Sequence, residues 1–253
     1  MNRDELFNMS NLSAQFRIEI GEDASSPIDI MAIVSSIPEL TLVFYPLGEN
    51  ISGMCVKGIE KNCVIAINSS MSLGRQRFTL AHELYHYKYD KNSNVAICGK
   101  DFGTKDPVER KADLFASFLL IPPAALKEKI KKLKNDTERK IELKDIIALE
   151  QYYQVSRLTI LYRLVSEGEL SKDEIEQYKK NVIISARRYG YNDELYKPSP
   201  ESKQYTTIGK YINMAKQLLD SEKISTGKYE ELLLTAFRSD IVYGLNEEGE
   251  LFD

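Results

Sequence analysis

Both histidines of this chain fall in one run, His82-Glu83-Leu84-Tyr85-His86. In an α-helix, residues four apart sit about 40° apart around the axis and one turn along it, so His82 and His86 project from one face. Two imidazoles so placed can bind a single metal ion. Glu83 lies about 100° further round, badly aimed to be a ligand but well placed to take a proton from water beside the ion. It is the candidate general base. A catalytic zinc needs a third protein ligand and an open fourth position, and Glu109-Arg110-Lys111-Ala112-Asp113 offers one in Glu109. Asp113, one turn on and on the same face, can accept the second ring N–H of a liganding histidine and fix its tautomer. Each acid also has a plainer reading: Glu109 as a solvated carboxylate at a helix start, Asp113 as a surface charge.

The elements that must position these groups are two helices. Phe78, Ala81 and Tyr85, with Leu80 and Leu84 on the neighbouring row, give helical spacing, and no Gly or Pro interrupts the run from Arg75 to Asp90. A second helix reads from Val108 to Leu120, with Pro107 at its entry and Pro122-Pro123 ending it.

His82-Glu83-x-x-His86 followed by Glu109-x-x-Ala112-Asp113-x-Phe115-Ala116-x-x-Leu119-Leu120-x-Pro122 resembles the ImmA/IrrE metallopeptidases, which are thermolysin-like zincins. The family pattern more often has Asn where this chain has Asp113. The resemblance covers Ile28 to Pro122 and thins after Leu170. It implies a zinc endopeptidase that cleaves a helix-turn-helix transcriptional repressor and so derepresses a phage, mobile-element or stress-response locus. It also implies that an edge strand beside the site helix holds substrate in extended form, a role assigned here to Cys63–Ile67, which could equally be a purely structural strand.

Two neutral imidazoles and one carboxylate leave a zinc site with net positive charge, under which bound water acidifies toward a pKa of about 7. Manganese is accepted by the same donors. With both histidines used as ligands, a tyrosine, an arginine or the metal itself must stabilise the oxyanion. Tyr85, Tyr87, Tyr89 and Arg75 are the nearby candidates, and sequence does not choose among them; the tyrosines also read as packing. A rival reading makes the chain a non-proteolytic partner that inactivates a regulator by stoichiometric binding or joins a toxin–antitoxin pair. Glu83 speaks against it, since a structural zinc needs no general base.

The rest of the chain reads as α+β. A small antiparallel sheet is expected from Leu40–Tyr45, Ile51–Val56 and Cys63–Ile67, with turns at Gly48-Glu49-Asn50 and between Gly58 and Asn62. A polar start with a short helix, then a helix over Ile28–Ile37, precedes the sheet. Tyr89–Asp106, with Gly99 and Gly103, reads as a loop with one short strand. Expected boundaries are 1–135 for the zincin-like domain, 136–170 for a helix-turn-helix-like unit in which Ser156 caps the second helix, and 171–253 for a helical C-terminal module beginning its regular pattern at Thr206.

A DNA reader would want basic and amide groups at the head of that second helix, and only Arg157 and Thr159 stand there, so direct DNA binding is not expected. The net charge of −4, from 34 basic and 38 acidic residues, agrees. Three cysteines, Cys55, Cys63 and Cys98, lack a C-x-x-C pair and read as reduced thiols; Cys98, between the motif helices, could alternatively ligate or be oxidised. With neither a signal-peptide core nor a run of membrane-spanning length, a cytoplasmic protein is expected.

Overall fold

A computed structural model of the chain describes residues 3–59, 62–91, 93–99 and 106–244. Gly103 and part of the Gly58–Asn62 turn, both read above as breakers, lie outside the described residues, as do residues 245–253 of the C-terminal module. The fold is α+β. It opens with α1 (Arg3–Glu19) and α2 (Ile30–Ser36), followed by β1 (Leu40–Tyr45), β2 (Ile51–Lys57) and β3 (Cys63–Asn68). Then come α3 (Leu73–Tyr89), β4 (Val95–Gly99), α4 (Pro107–Leu120) and α5 (Pro123–Leu133). The helical pair α6 (Leu143–Tyr153) and α7 (Arg157–Ser166) leads through the short α8 (Ile175–Tyr178) and α9 (Val182–Arg188) to β5 (Thr206–Gly209), α10 (Lys210–Asp220), α11 (Thr226–Thr235) and α12 (Ser239–Tyr243).

The five strands run in the order β4-β2-β3-β1-β5. The sheet is mixed, where an antiparallel one was expected: β1 pairs with β3 in parallel, Leu40 opposite Cys63, and the other pairs are antiparallel. Strand periodicity reports which face is buried but not which neighbour is chosen, so the parallel pair left no local mark. The topology also corrects the substrate-strand assignment. β3 has both edges paired and lies inside the sheet; the edge strand beside the site is β4. Burial agrees, since Ile65, Ala66, Ile67 and Asn68 of β3 are all buried, as suits a strand covered on both faces.

Thr206–Gly209, read as the start of a helical stripe, is instead the strand that closes the far edge against β1. Gly209 marks the change of direction into α10. Its φ is +88°, and a Cβ there would stand 2.5 Å from the Leu40 carbonyl oxygen, so both backbone conformation and space require glycine.

Helix α3 lies on β2 and β3, α4 packs on α3, and α1 packs on α4. Leu80, Leu84, Phe115 and Leu119 are fully buried between them. Pro107 supplies the first helical position of α4, and Asp106 Oδ1 accepts the Val108 N–H at 2.7 Å. At the other end, the buried Arg17 guanidinium of α1 donates to the Leu119 carbonyl (2.9 Å) and to those of Asp23 and Ser26. The start of α3 is fixed by later sequence. Leu73 N–H donates to Lys197 O (2.8 Å) and Ser199 Oγ to Gln76 Oε1 (3.1 Å). A Cβ on Gly74 would lie 2.7 Å from Ser156 N, which shows how closely the α6–α7 turn abuts this helix.

That turn has the form expected: Ser156 Oγ accepts the Thr159 N–H (3.3 Å) and caps α7. Arg157 and Thr159, the polar residues at its head, are both buried. Among the described residues, no helix is long and apolar enough to cross a membrane.

Candidate metal centre

His82 and His86 lie one turn apart on the face of α3 turned toward α4, and both are buried. Asp113 Oδ1 is 2.9 Å from His82 Nδ1, and Asp90 Oδ2 is 3.3 Å from His86 Nδ1. Ionised carboxylates only accept, so each Nδ1 carries the proton and each Nε2 presents a lone pair. Those lone pairs face one another at 3.2 Å. Glu109, from the first turn of α4, closes the group with Oε2 3.1 Å from His82 Nε2 and Oε1 3.3 Å from His86 Nε2.

Three acceptors converging without a donor between them repel one another. A cation at their centre removes the conflict. In a tetrahedral zinc site with bonds of about 2.0–2.1 Å, the ligand atoms stand about 3.3 Å apart; here the two Nε2 atoms are 3.2 Å apart, and the two Glu109 oxygens lie 3.1 Å from one and 3.3 Å from the other. The donor set therefore fits a metal ion in chemistry and in spacing. Without metal, a proton takes that place: although burial opposes charge on His82, its hydrogen bonds to Asp113 and Glu109 raise its pKa to about 9. Burial likewise disfavours the Glu109 carboxylate, but the two imidazoles outweigh it and hold the group well below the usual carboxylate range.

Glu83 is fully buried, and neither carboxylate oxygen has a hydrogen-bond donor in good geometry among the described residues. Burial pushes its pKa up. Space for it comes from β2: a Cβ on Gly53 would stand 3.0 Å from Glu83 Oε1 and 2.6 Å from Thr79 Cγ2, so a larger residue at 53 would press on the acid. A small cleft over the site is lined by Ser52, Arg75, Thr79, His82, Cys98 and Glu109, among others.

The structure thus brings together His82, His86, Glu109 and Asp113, with Glu83 beside them. Of the oxyanion candidates, Arg75 lines the cleft, its guanidinium 3.5 Å from Gly99 O and 5.8 Å above the Phe78 ring. Tyr85 and Tyr89 turn the other way and pack on Phe115, with ring centroids 5.8 and 5.4 Å from it, and Tyr87 packs against the core. Their repeat along α3 reflects packing. Two further residues stand at the centre, Asp90, which the sequence reading did not assign, and Cys98, which it read as a reduced thiol that could alternatively ligate. Asp90 is the acid one turn beyond His86, at the C-cap of α3, and the i, i+4 spacing was the signal for it. Cys98 brings its thiol within 4.8 Å of the donor atoms of His82, His86 and Glu109. It comes from a strand too short to place by pattern.

Residues 46–165 match the family model of the IrrE N-terminal-like domain, Peptidase_M78. The match runs from Pro46, just after β1, to Val165 in α7, so it starts later than the motif resemblance and continues through the α6–α7 pair. That stretch is therefore similar to the ImmA/IrrE peptidase domain, and every residue of the centre described above lies within it. No curated protein matches the chain.

Proposed function

We propose that this chain is a metal-dependent endopeptidase, with zinc as the metal, that cleaves a helix-turn-helix transcriptional repressor and relieves repression in a phage, mobile-element or stress-response locus. The observation that carries the reading is the convergence of His82 Nε2, His86 Nε2 and Glu109 within 3.3 Å of one another, with the buried Glu83 carboxylate beside them. His82, His86 and Glu109 hold the metal. Bound there, zinc supplies Lewis-acid polarisation of the peptide carbonyl and acidifies water near neutral pH. Manganese suits the same donors.

The protein's own groups account for the rest. Glu83 accepts the proton of the attacking water and delivers it to the leaving nitrogen, and its burial, which raises its pKa, suits it to both halves of that transfer. Asp113 and Asp90 keep each Nδ1 protonated and each Nε2 turned inward. Arg75, on the wall of the cleft, is the group placed to meet a developing oxyanion. The outer edge of β4 offers backbone to an extended peptide, in the role first given to β3. The family resemblance supports the repressor as substrate. A purely binding protein has no use for the buried Glu83 carboxylate beside the metal ligands.

Incubation of the zinc-loaded protein with a helix-turn-helix repressor encoded beside it tests the reading. Discrete fragments should appear, and chelator or Glu83→Gln should abolish them. Cleavage that survives Glu83→Gln, or a stable complex with no fragments, would overturn it.

A further inference from the structure

We propose that the thiol of Cys98 is a fourth, displaceable ligand of this metal centre, and that in the resting protein it occupies the coordination position a substrate must take. The proposal rests on the metal-site reading above. Along β4, Val95 and Ile97 face outward, whereas Cys98 faces α3 and is 2% exposed. Its Sγ lies within 4.8 Å of the donor atoms of His82, His86 and Glu109. Nitrogen and sulfur in a tetrahedral zinc site, with bonds of about 2.0–2.1 and 2.3 Å, stand about 3.5 Å apart, so the Cys98 thiol lies close to ligating separation from the other donors.

The surroundings are unusual for a structural thiol. A buried free cysteine ordinarily behaves as a small hydrophobe among apolar neighbours. Cys98 instead faces two imidazoles and Glu109, with the buried Glu83 carboxylate close enough to interact with its thiol. The backbone beneath it is fixed. Cys98 pairs with Gly53 beside a register shift in the β2–β4 ladder, and Ser52 Oγ donates to Cys98 O (3.2 Å) and Gly99 O (3.0 Å).

Structural zinc sites are closed by four protein ligands, and catalytic ones keep a position open. A thiol poised at this distance lets one site be either. On ligation the S–H bond breaks, the proton leaves to the neighbouring Glu83 carboxylate, and a sulfur electron pair forms the metal–sulfur bond; opening reverses each step. Because β4 is the sheet edge, a peptide strand adding there would act on the same backbone that carries the thiol.

X-ray absorption at the zinc edge, on the full chain loaded with one equivalent of zinc and no substrate, tests this. The wild type should show one sulfur at about 2.3 Å beside the nitrogen and oxygen shell. Cys98→Ser should bind zinc with the sulfur shell lost. The Cys55→Ala/Cys63→Ala double variant, whose two thiols lie 3.3 Å apart on β2 and β3, should keep it. Zinc bound by the wild type through nitrogen and oxygen alone overturns the Cys98 proposal and leaves the metal site standing. Failure to bind zinc at all overturns the metal site itself. Zinc-loaded Cys98→Ser should also cleave the repressor faster than wild type, and equal rates would remove the claim that the thiol closes the site.

Discussion

Two of the buried polar clusters in this fold differ in whether they are complete. At the α6–α7 junction, Glu150 is ion-paired with Arg157, whose guanidinium also donates to Tyr178 O (3.1 Å) and Ser185 Oγ (3.1 Å), while Tyr196 OH donates to Glu150 Oε2 at 2.6 Å. Donors and acceptors match, and the charges cancel. At the α3–α4 junction, two imidazole Nε2 atoms and a carboxylate converge on a place that a proton or a cation must fill, and Glu83 beside them has no hydrogen-bond donor in good geometry among the described residues. Buried polar groups without partners cost stability, and a fold retains them where something outside the chain completes them. The first cluster is structural; the second has the form of a site.

Substitutions should separate the two. The largest effect is expected for Glu83→Gln, with repressor cleavage falling by about 10²–10⁴-fold at unchanged zinc content, measured by fragment yield and metal analysis. Cleavage within a few-fold of wild type would end the contrast. Arg157→Ala strands the buried Glu150 and should lower unfolding stability by about 3–5 kcal/mol in a denaturant titration while the folded protein keeps its zinc affinity. Asp113→Asn and Asp90→Asn remove the acids that orient the imidazoles, and competition with a chelating dye should show zinc affinity weakened by about 10–100-fold.

Acidity should distinguish the clusters more gently. The metal-free folded protein holds the His82 proton up to about pH 9, against an unfolded value of 6.5. That pKa is raised, so its contribution to the stability of the metal-free protein is fully present below 6.5 and lost as pH rises through about 9. Zinc must displace the same proton. Its apparent affinity should therefore climb by up to about tenfold per pH unit toward pH 9 and then level off, as calorimetric titrations in a pH series would show.

The centre was more legible in the sequence than the sheet around it. Helix periodicity and i, i+4 spacing are local, and they grouped His82, Glu83 and His86 on one helix and Glu109 and Asp113 on another; the need for a third ligand and the family resemblance joined the two. Strand partners are chosen over long separations, so the parallel β1–β3 pair, the interior position of β3 and the edge position of β4 had no local signature. For the same reason Thr206–Gly209 read as helix: four residues carry no period, and their pairing with β1 lies some 165 residues back. Asp90 could have been found by carrying the histidine spacing one turn further. The tyrosines of α3 had two readings because aromatic residues near a motif look alike whether they face the cleft or Phe115, and packing distinguishes the two.

The most direct test of the account is the thermal unfolding of metal-free protein with and without a slight excess of zinc, made on wild type, His82→Ala and Arg157→Ala in parallel. A ligand that binds only the folded state raises its midpoint. Wild type and Arg157→Ala should both gain from zinc, the latter from a lower starting temperature, and His82→Ala should not respond. A wild-type midpoint that zinc leaves unmoved, or an equal gain in His82→Ala, would contradict the claim that the incomplete cluster is a metal centre.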